Sequence, residues 1–308
     1  MYDLIIIGAG PAGLGASIYA SRYKIKHLVI GAEIGGQITK AWQIENYPGF
    51  ESISGQELTE RFKKQATALG GEIISATVEN IDNVPGGFAV FIGEDKKYEC
   101  KSIIFALGMN PRKLDIENEE KFIGRGISYC AICDAMFFKN KDVAVIGGGD
   151  SAATASLHLA EFANSVHLLY KEGTKCFEPA WEEKIKSNEK IKEESFSEIE
   201  KILGDEKVSG LSYTTKNGEK KEIETQGIFI EIGSAPGVVV AKELGVKTDE
   251  HDYIIVKSDQ STNLEHVYAA GDVTTGSNKF RQIATAVAEG AVAAGSVYKK
   301  MKLTENKS

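Results

Sequence analysis

The chain has 308 residues, 42 % of them hydrophobic and 26 % charged, with a formal net charge of −8 and a pI near 5.4. This is ordinary globular composition, long enough for two domains. The acidic balance argues against a general nucleic-acid or anionic-membrane surface, which needs clustered Lys and Arg, and no apolar stretch reaches the roughly twenty residues that span a bilayer. With only four cysteines, structural disulfides are not the stabilising strategy, and a reducing, cytoplasmic setting is expected.

In chain order, Met1-Tyr2-Asp3 carries no basic segment, and the run Leu4 to Ile7 stops at Gly8, which reads as a buried strand and not a signal peptide. The turn Gly8-Ala9-Gly10-Pro11-Ala12-Gly13 follows, then a helical stretch from Leu14 to Tyr23 and a second apolar run from His27 to Ile30. Phe88 to Ile92 and Ile103 to Ala106 read as strands. The opening pattern recurs 139 residues on: Asp142 to Ile146, the turn Gly147-Gly148-Gly149-Asp150-Ser151-Ala152, a helix from Ala153 to Ala163, and the run Val166 to Leu169. Each unit is strand, glycine turn, helix, strand, the parallel opening of a doubly wound nucleotide-binding domain. The first glycine allows the tight turn, the second admits pyrophosphate to the backbone, and the third lets helix and strand approach; Ala152 fills the third place in the second unit.

Further along, Lys186 to Lys201 reads as a solvated surface segment without a functional role, and Ile228 to Ile232 as a strand ending at a turn. Tyr253 to Val256 and Val267 to Ala270 are short apolar runs, and Gln282 to Lys300 is a long Ala-rich helix. The expected fold is therefore α/β, with two Rossmann-like doubly wound nucleotide-binding domains, the second inserted into the first. The crossings are placed near Pro111 to Glu120 and Gly237 to Gly245, giving domains 1–113, 114–244 and 245–308.

Between the two turns stands Cys130-Ala131-Ile132-Cys133. Two sulfurs at this spacing interconvert between dithiol and disulfide, a two-electron change matching that of a flavin or a nicotinamide. Structural zinc would need a second ligand pair; Cys100 and Cys176 stand alone and none of the five histidines completes one, so no metal site is expected. Cys100, in a strand, is assigned to the core and Cys176 to a loop. His27 and His167 lie in strands and are assigned to packing, as Trp42 and Trp181 are to packing or a rim.

In order along nearly the whole chain, these segments resemble the low-molecular-weight thioredoxin reductases: Gly8 to Gly13, Gly35-Gly36-Gln37, Glu45-Asn46-Tyr47-Pro48-Gly49, Cys130 to Asp134, Gly147 to Ala152, Ala269-Ala270-Gly271-Asp272 and Arg281-Gln282. The resemblance implies FAD in the outer domain, NADPH or NADH in the inserted one, a homodimer, and thioredoxin or a thioredoxin-like protein as electron acceptor. It assigns Gly8, Gly10, Pro11, Ala12 and Gly13 to the FAD pyrophosphate, Gly36, Gln37 and Asn46 to the flavin end, Gly271 and Asp272 to the ribityl or phosphate region, and Arg281 and Gln282 to the isoalloxazine. Gly147, Gly149, Asp150, Ser151, Ala152 and Lys171 fall to the pyridine nucleotide. Cys133 becomes the sulfur that faces the flavin, Cys130 the one that attacks the protein substrate, and Asp134 a proton carrier or a helix cap. A domain rotation about the two crossings is implied as well.

The chain departs from that pattern where the family grips a 2′-phosphate with arginines. Tyr170, Lys171 and Glu172 occupy those places, with Lys175 a little further on. Lysine offers a point charge in place of a bidentate fork, and Glu172 repels phosphate while suiting ribose hydroxyls. Ala153-Thr154-Ala155 likewise replaces a common Val-Glu-Glu. The donor is thus open among NADH, weak use of NADPH, and ferredoxin; the rival readings are a different disulfide acceptor and a flavin-bound redox sensor.

Overall fold

The computed structural model describes residues 1–41, 43–93 and 96–305. The chain divides into two units, one comprising Met1–Thr39, Ile44–Asn110 and Ala235–Ser308, the other Lys40–Gln43 and Pro111–Ser234.

In the first unit the opening apolar run is the strand Tyr2–Ile7. Its neighbours run parallel, His27–Gly31 and then Glu72–Ser75 on one side and Lys96–Phe105 on the other. Lys96–Phe105 continues the sheet in two ways: its C-terminal half pairs in parallel with Val267–Ala269, and its N-terminal half joins an antiparallel meander with Gly87–Ile92 and Asn80–Val84. A strand covered on both faces needs apolar residues at every position. Leu4 and Ile6 meet one cluster with Ala12, Ala16, Ala293 and Ala294, while Ile5 and Ile7 meet another with Phe88, Val90 and Phe105. Each such fully buried aliphatic side chain contributes about 1.5–3 kcal/mol.

The helices Pro11–Arg22 and Ile283–Glu305 lie against each other through small residues. A Cβ at Gly290 would stand 2.1 Å from the Ala12 carbonyl oxygen, so the Ala- and Gly-rich composition reflects backbone proximity.

The second unit holds a parallel five-stranded sheet in the order Ile191–Phe196, Ser165–Lys171, Asp142–Ile146, Gly227–Ile230, Ile127–Ser128. Alternation again divides two cores: Val143 and Val145 pack with Ala152, Leu159 and Trp181, whereas Ala144 and Ile146 pack with Ile202, Leu211 and Tyr213. The latter three belong to an antiparallel sheet of Glu198–Gly204, Val208–Thr214 and Lys220–Glu224. Helix Asp150–Phe162 follows the second glycine turn.

Two expectations are corrected. Lys186 to Lys201 is not merely surface, because Ile191–Phe196 is the edge strand of the parallel sheet, its apolar ends Ile191 and Phe196 packing on the two cores. The second crossing falls at Ser234/Ala235 and not near residue 244, and the first at Asn110/Pro111. The physical reason is the short helix Val239–Glu243: Val238, Ala241, Leu244 and Val246 join the core of the first unit.

Candidate active site

At the first turn a Cβ on Gly8, where φ is +113°, would stand 2.0 Å from the Ala106 carbonyl oxygen, and one on Gly13 would stand 1.9 Å from the Gly8 carbonyl oxygen. No larger residue fits either place. Gly10 differs: it caps helix Pro11–Arg22 without a side-chain bond, and only the Gly35 carbonyl oxygen, at 3.9 Å, comes near its would-be Cβ. The first N–H groups of the helix therefore face a place that phosphate can fill. The Gly35 N–H donates to the Ala9 carbonyl at 2.7 Å, bringing Gly36 over Gly10.

Farther along the same unit, Asn46 Nδ2 donates to Gln282 Oε1 at 3.2 Å, and Gln37 Nε2 to the Met109 carbonyl at 2.6 Å. The Arg281 guanidinium lies 4.4 Å from the Tyr253 ring centre. Half-buried Asp272 makes no side-chain hydrogen bond among the described residues; burial pushes its carboxyl up to about 6, with Arg281 opposing and Glu289 assisting. A carboxyl so placed suits ribityl or ribose hydroxyls. The open helix N-terminus and this polar row fit FAD.

At the second turn a Cβ on Gly147 would meet the Glu231 carbonyl oxygen at 2.2 Å, while Gly149 has open space around it and caps its helix without a side-chain bond. The loop after Ser165–Lys171 folds back, the Cys176 N–H donating to the Gly148 carbonyl at 2.7 Å. Asp150 Oδ1 accepts the Glu178 N–H at 2.7 Å, so this carboxylate is engaged by the loop. Ser151 is exposed and Ala152 buried behind the turn. A dinucleotide fits the arrangement at Gly149. The cations of the loop are differently disposed: exposed Lys171 ends the strand, whereas Lys175 pairs with Glu193 and, at 3.3 Å, with Glu182, its ammonium 5.5 Å from the Tyr170 ring and 5.2 Å from that of Phe177. Burial works against the Lys175 charge, yet the two carboxylates outweigh it and hold the ammonium above its usual range. Glu172 accepts from Lys216 at 2.6 Å.

Cys130 and Cys133 are joined as a disulfide, their Cα atoms 5.3 Å apart. The pair sits just beyond strand Ile127–Ser128, where Cys130 caps the single turn Ala131–Asp134 and the Cys133 N–H donates to Cys130 Sγ at 3.3 Å. Asp134 precedes a second short turn but makes no side-chain capping bond to it. Beside the pair, Met136 and Phe137 are 62 % and 72 % exposed. Cys100 is fully buried and Cys176 exposed. Trp181 is buried in the core; Trp42 lies outside the described residues.

Two carboxyls escaped sequence reasoning. Glu289, 6 % exposed on the last helix, accepts the Gly271 N–H at 2.8 Å and Thr274 Oγ1–H at 3.1 Å and so fixes the segment bearing Asp272. Its signal was an acid among alanines on an apolar helix face. Glu231 follows strand Gly227–Ile230 beside the second turn, where burial pushes its carboxyl up to about 8. Nothing local in the sequence marks it.

The family model for pyridine nucleotide-disulphide oxidoreductases matches residues 2–290, and the chain belongs to that family: it is a flavin-dependent disulfide oxidoreductase. Within the family its similarity runs to thioredoxin reductases. Thioredoxin reductase of Rickettsia prowazekii (strain Madrid E) is 39 % identical over 303 residues, covering 96 % of this chain and 97 % of that protein. That of Bacillus subtilis (strain 168) is 37 % identical over 303 residues, covering 96 % and 94 %. The crystal structure of Lactococcus lactis thioredoxin reductase (FR conformation) matches with a TM-score of 0.92 at 38 % identity, over 97 % of this chain and 98 % of that one.

Proposed function

We propose that the chain reduces thioredoxin or a thioredoxin-like protein, using a nicotinamide nucleotide without a 2′-phosphate as donor. The observation that carries this reading is the Cys130–Cys133 disulfide placed on a nucleotide-binding unit beside the exposed apolar pair Met136 and Phe137, a surface suited to a protein disulfide and larger than a small thiol needs. FAD, held by Gly8, Gly10, Pro11, Ala12, Gly13, Gly36, Gln37, Asn46, Gly271, Asp272, Arg281 and Gln282, supplies the conversion of a hydride into an electron pair for the disulfide.

The protein groups perform the exchange. Cys130 thiolate attacks one sulfur of the acceptor disulfide, forming a mixed disulfide and releasing the acceptor's other thiolate. Cys133 thiolate then attacks Cys130 Sγ, restoring the internal disulfide and expelling the second acceptor thiolate. The Cys133 N–H already directed at Cys130 Sγ favours the anionic form of the attacking sulfur. Asp134, its carboxylate free of a capping role, carries the proton that a departing thiolate takes up.

Gly147, Gly149, Asp150, Ser151 and Ala152 hold the donor's pyrophosphate, with Lys171 at the adjoining loop. Support for NADH over NADPH comes from Lys175, whose charge is already taken by Glu182 and Glu193, and from Tyr170, Lys171 and Glu172, which supply no arginine fork for a phosphate of nearly two negative charges. The enzyme acts as a homodimer in the cytoplasm.

Anaerobic mixing with NADH, NADPH and reduced ferredoxin in parallel tests the donor: NADH should bleach the flavin fastest, and faster bleaching by NADPH or ferredoxin overturns that assignment. Cys133→Ser should leave bleaching intact and abolish multiple turnovers of thioredoxin. Turnover at the wild-type rate in that variant overturns the disulfide mechanism.

A further inference from the structure

Glu119 is only 3 % exposed, and a carboxyl group so far from water persists when its lone pairs are satisfied. Its Oε1 accepts the Leu114 N–H at 2.9 Å and the phenol O–H of Tyr129, and its Oε2 accepts the Asp115 N–H at 2.8 Å. The three donors come from two stretches of chain: the segment that enters the second unit after Pro111, and the residue immediately before Cys130. Asp115 and Asn118 adopt left-handed conformations, with φ of +56° and +68°, which non-glycine residues keep only with support from their surroundings. The Tyr129 ring packs against the cluster containing Phe122 and Ile127. Burial, followed by the bond to Glu119, pushes its phenol up from the ordinary tyrosine range, so it remains a donor at neutral pH.

Cys130 itself is held from the same side. Its N–H donates to Ser128 Oγ at 3.0 Å, and that hydroxyl donates to the Cys130 carbonyl at 3.2 Å. Ser128 in turn sits in register with Phe229 of the parallel sheet. The chain from Ser128 to Cys130 is therefore anchored at the sheet by one residue and at Glu119 by the next.

We infer that Glu119 is a positioning residue for the redox pair, gripping Tyr129 so that the backbone carrying Cys130 holds its sulfur within reach of Cys133. The inference rests on reading Cys130 and Cys133 as the working disulfide. Ring closure demands one backbone geometry, whereas the dithiol accepts a range of them. A frame that restricts residues 129 and 130 raises the effective concentration of one sulfur at the other and favours the disulfide.

The full-length holoenzyme is equilibrated with mixtures of reduced and oxidised dithiothreitol, which exchange two electrons and two protons with the pair, and thiols are trapped by alkylation. Wild type, Tyr129→Phe, Glu119→Gln and the double variant are compared. Tyr129→Phe retains both backbone bonds to Glu119, so it reports even if Glu119→Gln fails to fold. Each single substitution should move the equilibrium constant toward the dithiol by about three- to tenfold, as loss of one ordinary hydrogen bond does, and the double variant should move it no further than the larger single. Folded variants with constants within about twofold of wild type, whatever their thermal stability, overturn the inference, as do additive effects. A wild-type pair that does not interconvert at all would instead sink the functional reading.

Discussion

The two glycine turns are built on the same backbone device and differ in what surrounds it. In both, the first glycine abuts a strand-end carbonyl, Ala106 at 2.0 Å from a would-be Cβ in one and Glu231 at 2.2 Å in the other. In both, the loop after the second strand returns to donate an N–H to the carbonyl of the turn's second residue at 2.7 Å, Gly35 to Ala9 and Cys176 to Gly148. The differences are side chains: Gly13 against Ala152 behind the turn, Ala106 against Glu231 beside it, and a loop that carries Glu172 and Lys175, whose partners Lys216, Glu182 and Glu193 come from other elements. On the function proposed above, phosphate capture is a property of backbone, whereas the choice of nucleotide belongs to the residues just after the second strand.

The largest effect that can test this comparison is steric. Gly13→Ala puts a Cβ 1.9 Å from a backbone oxygen and should cost about 3 kcal/mol or more, seen as loss of bound flavin and a lower Tm. Gly149→Ala, with open space around it, should leave Tm within about 2 °C and raise KM for the nucleotide. Equal outcomes for the two would break the distinction between a packing glycine and a ligand-facing one.

A smaller effect concerns the loop. Glu172→Arg replaces a carboxylate paired with Lys216 by a fork for phosphate, and it should shift the ratio of kcat/KM for NADPH over NADH upward by about ten- to a hundredfold, or 1–3 kcal/mol. An unchanged ratio means that selectivity lies elsewhere in the unit.

The smallest effect is titration at Glu231. Its carboxyl is raised from 4.5 to about 8 in the folded protein, so the fold favours the protonated form. That contribution to stability is complete below pH 4.5 and is lost as pH rises through 8. Glu231→Gln stays neutral, and its Tm should match wild type at pH 4 and exceed it by a few degrees at pH 9. A difference independent of pH would show that burial of the carboxyl is not the cause.

What could be read from sequence follows from the same contrast. Close backbone approach leaves a residue-type record, so Gly8, Gly13 and Gly147 were legible, as was the doubly buried strand Tyr2–Ile7 from its unbroken apolar run. Pairings between distant polar residues leave none: Asn46 and Gln282 lie 236 positions apart, and their hydrogen bond has no periodicity to betray it. The edge strand Ile191–Phe196 was hidden because its glutamates are held by partners distant in sequence, Glu193 by Lys175 and Glu194 by Tyr213, so the strand carries apolar residues only at its two ends. Helix Val239–Glu243, five residues long, is too short for its pattern to show which unit it serves.

The buried thiol of Cys100, pushed up to about 12 by its surroundings, gives the molecule an internal counter. With the disulfide closed, the native chain offers an alkylating reagent one accessible sulfur, Cys176; with it open, three; and the fourth only when the sheet of the first unit comes apart. A single mass measurement after labelling therefore reports both whether the Cys130–Cys133 pair holds its two electrons and whether the chain is still folded.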